Sequence, residues 1–302
     1  MKVLVVGASG FIGQRIVERL RQGGHAITAV ARSSSDGIDC AVDATIASEA
    51  ELRELLAGHD AVVFAAGVDP RDVPRRPAYP VFHRGNVAPV VKLLDAARAT
   101  GATRAVVLGS YFTHFARQHP EWDLAITHPY IRSRIEQARA AREAAGPNLP
   151  VTVLELPFVL GRTGNRLPTW APPVAKWIRS RLPLFAPEGG SAVTTVSRVA
   201  DTAVKALEQA SDTNIPVVDD NLTWTDFIER AADAAGYPRP VHALPSDVVR
   251  AALTLIGAIQ AITGKQSGLH PAQLANLVLK ELFIEPISPR SVNQAIKETF
   301  AT

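Results

Sequence analysis

The sequence predicts an α/β protein: a doubly wound parallel sheet with a smaller, mostly helical C-terminal lobe. Three observations predict it. Short apolar runs alternate with helix-period segments through the first half of the chain. A glycine-rich turn separates the first run from the first helix. Near residue 160 the alternation stops, and helices joined by proline-rich links take over.

The opening run KVLVVG (2–7) is apolar after its lysine, as in a strand buried on both faces. IGQRIVERLRQGG (12–24) places Ile12, Ile16, Val17 and Leu20 at helix spacing, and Gly23-Gly24 ends it. HAITAVAR (25–32) is the next strand, EAELRELLAGH (49–59) a helix and DAVVFAAG (60–67) a strand. NVAPVVKLLDAARATG (86–101) is a helix closed by glycine, and RAVVLGS (104–110) a strand. Residues 131–145 form a helix and PVTVLELPFVLG (150–161) a strand. Such alternation requires parallel neighbours, right-handed crossovers and helices on both faces. The chain therefore divides into a Rossmann-type nucleotide-binding domain (1–160) and a substrate lobe (161–302). Helices near 198–210, 224–235, 246–262 and 271–282 build the lobe, which partly returns to the sheet through 194–219.

Composition excludes several function classes. Of 302 residues, 47% are hydrophobic and 20% charged, enough to bury a full core. The net charge is +3, and the densest basic cluster, RDVPRR (71–76), is far shorter than a nucleic-acid arm. Cys40 is the single cysteine, so no internal disulfide can form, as in a reducing cytoplasm. The eight histidines show no metal-ligand spacing. The longest apolar stretch near the C-terminus, AALTLIGAIQAIT (251–263), is too short to span a bilayer. A cytoplasmic protein is expected, with a small-molecule substrate and with no nucleic acid, membrane or metal among its partners.

The turn GASGFIG, with Gly7, Gly10 and Gly13, lies between a strand and a helix at the start of a βαβ unit. Glycine allows the tight turn and close backbone approach, and the helix start offers free N–H groups to an anion. Ser9, Phe11 and Ile12 belong to the same candidate phosphate site. At the end of the second strand, where an acid would hold a ribose 2′-hydroxyl, stand Arg32 and Ser33, then Ser34 and Ser35. An arginine with neighbouring hydroxyls binds a 2′-phosphate, so NADP is the favoured cofactor and NAD the alternative. Asp36 would weaken that choice if the loop presented it to the ribose.

Together with VDA (42–44), DAVVFAAG, GNVAPVVKLLDAARATGATRAVVLGS (85–110), HPYIRSRIEQA (128–138), LELPFVLG (154–161) and TTVSRVADTAVKALE (194–208), these residues resemble the extended short-chain dehydrogenase/reductase family of NAD(P)-dependent epimerases, dehydratases and ketone reductases. The resemblance covers nearly the whole chain. It implies that Asp43 accepts from the adenine amino group, with Ala44 beside it. It implies that Ala65, Ala66, Gly67 and Leu108 line the cofactor, and that Asn86 is the asparagine of the central helix. Pro157 and Val159 fall on the nicotinamide side. Ser110 matches the catalytic serine and Tyr130 the catalytic tyrosine. Family members also pair through the helices at 86–100 and 131–146, which implies a homodimer. Ile135, Ala138, Ala141 and Ala145 form a small-residue stripe that either permits such pairing or packs on the chain's own sheet.

In HPYIRSR (128–134) the family's Tyr-x-x-x-Lys becomes Tyr130-x-x-x-Arg134. A tyrosine hydroxyl, with an ordinary pKa of about 10, needs nearby positive charge to work as an acid or base near neutrality. Arg134 lies one turn on and supplies a permanent charge and a planar fork, but no proton to relay. The expected activity is reduction of a carbonyl on a small apolar or cyclic substrate. Ser110 would polarise the carbonyl, Tyr130 donate the proton, and Arg134 position the cofactor ribose. Trp170, Trp177 and Phe185 support an apolar substrate, or are lobe core. Arg71, Arg75, Arg76, Arg162 and Arg166 keep a nucleotide sugar in view, with epimerase or dehydratase chemistry on tightly held NAD(P). His114 is a pocket wall or a spare acid/base. A non-catalytic NADP-binding regulator is the third alternative, and Arg134 is the residue in its favour.

Overall fold

The strands are β1 (Lys2–Val6), β2 (Ala26–Ala31), β3 (Cys40–Ala41), β4 (Ala61–Phe64), β5 (Arg104–Leu108), β6 (Val151–Glu155), β7 (Phe158–Leu160), β8 (Leu184–Pro187), β9 (Gly190–Thr195), β10 (Asn214–Pro216), β11 (Asp220–Thr223), β12 (Val241–Leu244) and β13 (Glu281–Leu282). The helices are α1 (Phe11–Gln22), α2 (Glu49–Leu56), α3 (Tyr79–Phe82), α4 (Ala88–Ala99), α5 (Phe112–Gln118), α6 (Leu124–Thr127), α7 (Pro129–Ala145), α8 (Ala171–Arg179), α9 (Val196–Gln209), α10 (Trp224–Ala234), α11 (Ser246–Ile262), α12 (Pro271–Val278) and α13 (Asn293–Phe300). They come from a computed structural model that describes residues 1–301.

Seven strands form one sheet in the order β10-β6-β5-β4-β1-β2-β3. Every neighbouring pair is parallel. The chain runs outward from β1 to β3, then returns past β1 to β4 and on to β6. The order therefore reverses between β1 and β4, and a crevice opens there beyond the strand ends. Strand alternation sorts the two faces. Val3, Val5, Val63 and Val106 share a core with Ile16, Val17 and Leu20 of α1 and with Val199, Ala200 and Ala203 of α9. Leu4, Val6, Val62, Phe64 and Val107 share the other with Leu52 and Leu56 of α2, Leu93 and Leu94 of α4, and Ala138 and Ala141 of α7. Of the stripe, Ala138, Ala141 and Ala145 pack on the chain's own sheet, and Ile135 is half-buried against the cluster around Tyr130. The outer face of α7 instead carries the ion pairs Arg132–Glu136 (3.1 Å) and Arg139–Glu143 (2.6 Å).

The run expected as one strand over 150–161 is two. Pro157 has no N–H for a ladder, and the chain breaks at Leu156-Pro157. β7 leaves the main sheet and pairs with β9 in the lobe. β9 also pairs antiparallel with β11 and parallel with β13, while β8 pairs with β12. The lobe thus holds two small sheets between its helices, built from strands too short to show a period. Its own core gathers Trp170, Phe227, Ile228, Ile296 and Phe300. The segment after β9 does return: α9 packs on α1, and β10 forms the edge of the main sheet.

One local irregularity bears on function. Residues His83–Val87 form a π-helical turn ahead of α4. Pro89 lies at its far end and has no N–H to offer the carbonyl four residues back, which favours the wider turn. Asn86, fully buried, sits in this turn. At the other end of the cluster, His128 caps α7. It is buried, and its Nδ1 accepts from the His270 backbone N–H at 3.0 Å, tying α7 to the lobe.

Two expected outcomes follow from this packing. A Cβ at position 13 would overlap the Gly7 carbonyl oxygen and Gly7 carbonyl carbon. Gly13→Ala should therefore lower the unfolding free energy in urea by about 1–3 kcal/mol. Burial, aided by His270, depresses the His128 pKa from 6.5 to about 4, so the folded state keeps this ring neutral. The unfolded chain takes up the proton first as pH falls. Stability from this residue is complete above about pH 6.5 and is lost progressively toward pH 4, by roughly 3 kcal/mol. His128→Asn, whose amide oxygen can still accept from His270, should flatten the fall of the melting temperature over that range.

Candidate active site

The glycine turn closes on the reversal point of the sheet. Gly7 has φ +88°, a left-handed conformation open to glycine. Its N–H donates to the Val30 carbonyl at 2.9 Å, and that of Ala8 to the same oxygen at 3.0 Å. A Cβ on Gly7 would stand 2.8 Å from backbone atoms of Ala65 and Ala66, so the first turn and the end of β4 touch through bare backbone. Gly10 caps α1 in an extended conformation with no side-chain cap, and the first turn of α1 carries no acid. The N–H groups and positive dipole end of this twelve-residue helix are left for an anion. Ser9, Phe11 and Ile12 are half-buried around it.

Beside this turn the loop after β2 is exposed from Arg32 to Gly37. Arg32 makes no hydrogen bond or ion pair with the described residues, and its charge reaches Asp43. Asp36 is likewise exposed and points to no partner. The acid that folds back is Asp39, whose carboxylate accepts from the Ala29 N–H at 2.7 Å on the sheet edge. Asp43 accepts from Thr45 Oγ1 (2.7 Å) and Thr45 N–H (2.9 Å), a local turn. These bonds, and to a smaller extent Arg32, hold its carboxyl below the usual carboxylate range. Both hydrogen bonds use one carboxylate oxygen, Oδ1, while Ala44 is buried beside it.

The residues of HPYIRSR assemble at the ends of β4 and β5. Arg134 is 8% exposed, and its guanidinium carbon lies 5.2 Å from the centre of the Tyr130 ring. Its Nη1 donates to the Leu108 carbonyl at 3.3 Å and to Gln137 Oε1 at 2.9 Å. Gln137 Nε2 donates to the Asn86 carbonyl at 3.0 Å. Asn86 Nδ2 donates to Ser133 Oγ at 2.9 Å, and Ser133 donates to the Tyr130 carbonyl at 2.7 Å. Asn86 Oδ1 accepts from the Val68 N–H at 2.9 Å, fixing the strand-end loop. A Cβ on Gly67 would be 2.7 Å from Arg134 Nη2, so Gly67 leaves that nitrogen its space. Arg134 Nε is buried with no acceptor among the described residues. The sequence singled out Tyr130, Arg134, Asn86, Gly67 and Leu108, and the fold brings them together. Gln137 and Ser133 escaped notice, although positions 130, 133, 134 and 137 share one helical face.

Tyr130 is 6% exposed and packs edge-on to Phe82 at 6.0 Å between ring centres. Its N–H donates to the Gly268 carbonyl at 2.9 Å, so the lobe also positions it. Ser110, two residues past β5, is buried, and its carbonyl accepts from Thr113 Oγ1 at 2.7 Å. The same hydroxyl lies 2.5 Å from Glu155 Oε1, and the two acceptors share its one proton. Glu155 is fully buried, holds Arg117 through both carboxylate oxygens (2.5 and 2.8 Å), and accepts from Asn214 Nδ2 at 3.1 Å. His114 belongs to this network, with Nδ1 3.9 Å from Glu155 Oε2, and burial lowers its pKa. The Tyr111 hydroxyl accepts from Ser191 Oγ at 3.1 Å; burial drives its pKa well above the ordinary value, so it stays neutral.

Of the two readings of the tryptophans, Trp170 and Trp177 take the lobe core. Trp170 packs edge-on to Phe158 and Phe227 and tilted against Phe300 in the lobe core, and Trp177 packs on the same core. Phe185 is 40% exposed beside His242. The aromatic cluster around Tyr130 comes instead from Phe82, Tyr111, Phe112, Phe115 and Trp122. Two of the arginines considered for a nucleotide sugar are engaged within the chain. Arg71 pairs with Asp69 and Thr169, and Arg162 donates to the Glu298 carbonyl at 3.1 Å. Pro157 is buried at the strand break, and Val159 is buried in β7. Among the described residues no His, Cys, Asp and Glu cluster could hold a metal ion, and no helix is long and apolar enough to cross a membrane.

A family model described as NAD(P)H-binding matches residues 7–167. The chain is 30% identical over 257 residues to a 3-diazoavenalumate denitrifying reductase from a Streptomyces species, covering 80% of this chain and 83% of the relative. It is 30% identical over 189 residues to a chloroplastic homolog of the epimerase family protein SDR39U1 from Arabidopsis thaliana. That match covers 57% of this chain and spans about half (53%) of the plant protein. The human epimerase family protein SDR39U1 (isoform 2), solved with NADPH, superposes with a TM-score of 0.68 at 19% identity over 99% of both chains. With the glycine turn at the sheet's reversal point and these relatives, the chain belongs to the NAD(P)-binding extended short-chain dehydrogenase/reductase and epimerase family.

Proposed function

We propose that this protein is an NADP-dependent oxidoreductase that reduces a carbonyl group on a small, largely apolar substrate. The observation that carries the reading is the joint burial of Ser110 and Tyr130 in a neighbourhood shaped by one cation, Arg134. Ser110 polarises the carbonyl oxygen by donating a hydrogen bond, and Tyr130 gives the oxygen its proton as negative charge develops there. Arg134 supports the ring of Tyr130 from 5.2 Å, and its Nη2, beside Gly67, would hold the cofactor ribose. The residues fit a dinucleotide. Gly7 and Gly13 let the turn close backbone to backbone ahead of α1, α1 presents an uncapped N-terminus, and Arg134 Nε has no acceptor among the described residues. When bound, NADPH supplies the hydride.

The cofactor choice rests on Arg32 and Ser33, exposed and unengaged at the end of β2 where a 2′-phosphate would lie. The NADPH in the human neighbour structure supports it. The apolar cluster packed beside Tyr130, with Phe82, Tyr111, Phe112 and Phe115 buried in it, is the feature that favours an apolar substrate over a sugar diphosphate in this reading. Epimerase chemistry on the same site is the second reading, favoured by the plant and human epimerase-family proteins.

Two substitutions test the reading. Tyr130→Phe should reduce NADPH-linked carbonyl turnover by about 100- to 10,000-fold while leaving NADPH affinity within about threefold. Unchanged turnover would remove Tyr130 as proton donor. Arg32→Glu should weaken NADPH binding by about 10- to 100-fold in calorimetry and leave NADH binding nearly unaltered. Equal NADPH and NADH affinities in the unaltered protein would instead move the assignment to NAD.

A further inference from the structure

α11 touches the rest of the molecule along one narrow stripe. Val249 is buried, and Leu253, Gly257 and Gln260 are half-buried, each three or four residues on. The helix packs on α12, where Gly257 meets Pro271 and Ala272. Everything else it presents outward is uncharged from Ala251 to Gly264. Val248 (50% exposed), Leu255 (62%), Ile256 (44%), Ile259 (52%) and Ile262 (86%) fall on one side of the helix. No other helix of the described residues exposes so many large apolar side chains. A surface helix normally turns such residues inward.

Cations stand at the end of this apolar face. The loop 74–76 pairs with 264–266: Arg76 N–H donates to the Gly264 carbonyl, Gln266 N–H to the Pro74 carbonyl, and Arg75 bridges Lys265. Arg75, Arg76 and Lys265 are exposed and form no ion pair with the described residues. Arg250 marks the other end, one turn after the exposed Asp247, and donates to Asn276 Oδ1 at 2.8 Å. Nearby acids are few. Asp72 is exposed, and Asp69 is taken up by Arg71.

We propose that α11 and the adjoining 74–76 and 264–266 segments form a docking surface for an anionic lipid bilayer, with the helix lying in the interface. An apolar face flanked by uncharged alanine and threonine, with basic residues at its end, suits the boundary between acyl chains and negative headgroups. A helix partner from a second protein copy would call for charged or polar flanks along the seam. No charged residue occurs between Arg250 and Lys265, and the apolar repeat lasts only about two heptads, too short for a coiled coil. The stretch is below spanning length, so it lies on a bilayer rather than across it.

The test uses the whole chain and needs no substrate. The protein is sedimented with vesicles of phosphatidylcholine alone and of equimolar phosphatidylcholine and phosphatidylglycerol. The surface predicts binding to the anionic vesicles that Leu255→Glu with Ile259→Glu weakens by at least about tenfold. Replacing Arg75, Arg76 and Lys265 by Gln should remove the preference for anionic lipid. All these side chains are exposed, and unchanged circular dichroism and melting temperature establish that the variants fold. Absence of sedimentation with either vesicle would overturn the proposal. So would a dimer in light scattering that the Leu255→Glu, Ile259→Glu variant dissolves, since the face would then be covered by a second copy.

Discussion

The guanidinium of Arg134 is the tie on which the candidate site depends. It leaves α7, reaches the carbonyl at the end of β5, and packs against Gly67 after β4. Through Gln137 it is bound to the backbone of Asn86 in the π-helical turn. Three separate chain segments thus converge on one planar cation. A buried cation in this position is costly unless its donors are paired. The pairing partners here are a backbone carbonyl and a neutral amide, which leave the positive charge uncompensated by any carboxylate. That unspent charge, beside the Tyr130 ring, is what a proton-donating tyrosine or an anionic cofactor can use.

Around this tie the support is layered. Asn86 fixes Val68 with one end of its amide and Ser133 with the other, and Ser133 returns the bond to the Tyr130 carbonyl. The lobe adds two contacts to the same short stretch: Gly268 to the Tyr130 N–H and His270 to the His128 ring. On the far side Glu155 holds Arg117, Thr113 and Asn214, and Thr113 pins the carbonyl of Ser110. Ser110 and Tyr130 are therefore each placed by a buried polar network that reaches beyond its own element. Such networks favour one arrangement because partial satisfaction is expensive.

Much of the sheet was legible in the sequence. Continuous apolar runs and 3.6-residue periods survive because each strand and helix of the first half buries a whole face. The glycine turn was legible for a steric reason, since Gly7 and Gly13 sit where backbone meets backbone. The lobe was harder to read. Its strands are two to six residues long, and proline-rich links obscure any period. Trp170 shows the limit most clearly: an aromatic residue in a variable lobe reads equally as pocket or as core, and only tertiary packing against Phe158, Phe227 and Phe300 decides for core. Gln137 and Ser133 were silent because neutral polar residues on a helix ordinarily face water. Their role comes from burial, which no local pattern announces.

The arginine in HPYIRSR is better understood as part of this scaffold than as a damaged lysine. A lysine ammonium is a compact point donor on a flexible stem, whereas the guanidinium offers a fixed fork. Here Nη1 meets the Leu108 carbonyl and the Gln137 amide oxygen together, while Nη2 is directed at Gly67. A single ammonium nitrogen satisfying the first two acceptors would have to lie deep beside β5, leaving nothing at Gly67. The fork divides the work: one nitrogen is structural, and the other stays available at the crevice between β1 and β4. The departure from lysine is thereby matched by a second feature of the same helix, a glutamine one turn on. Burial of that glutamine, with both ends of its amide bonded, ties the guanidinium to the π-helical turn ahead of α4.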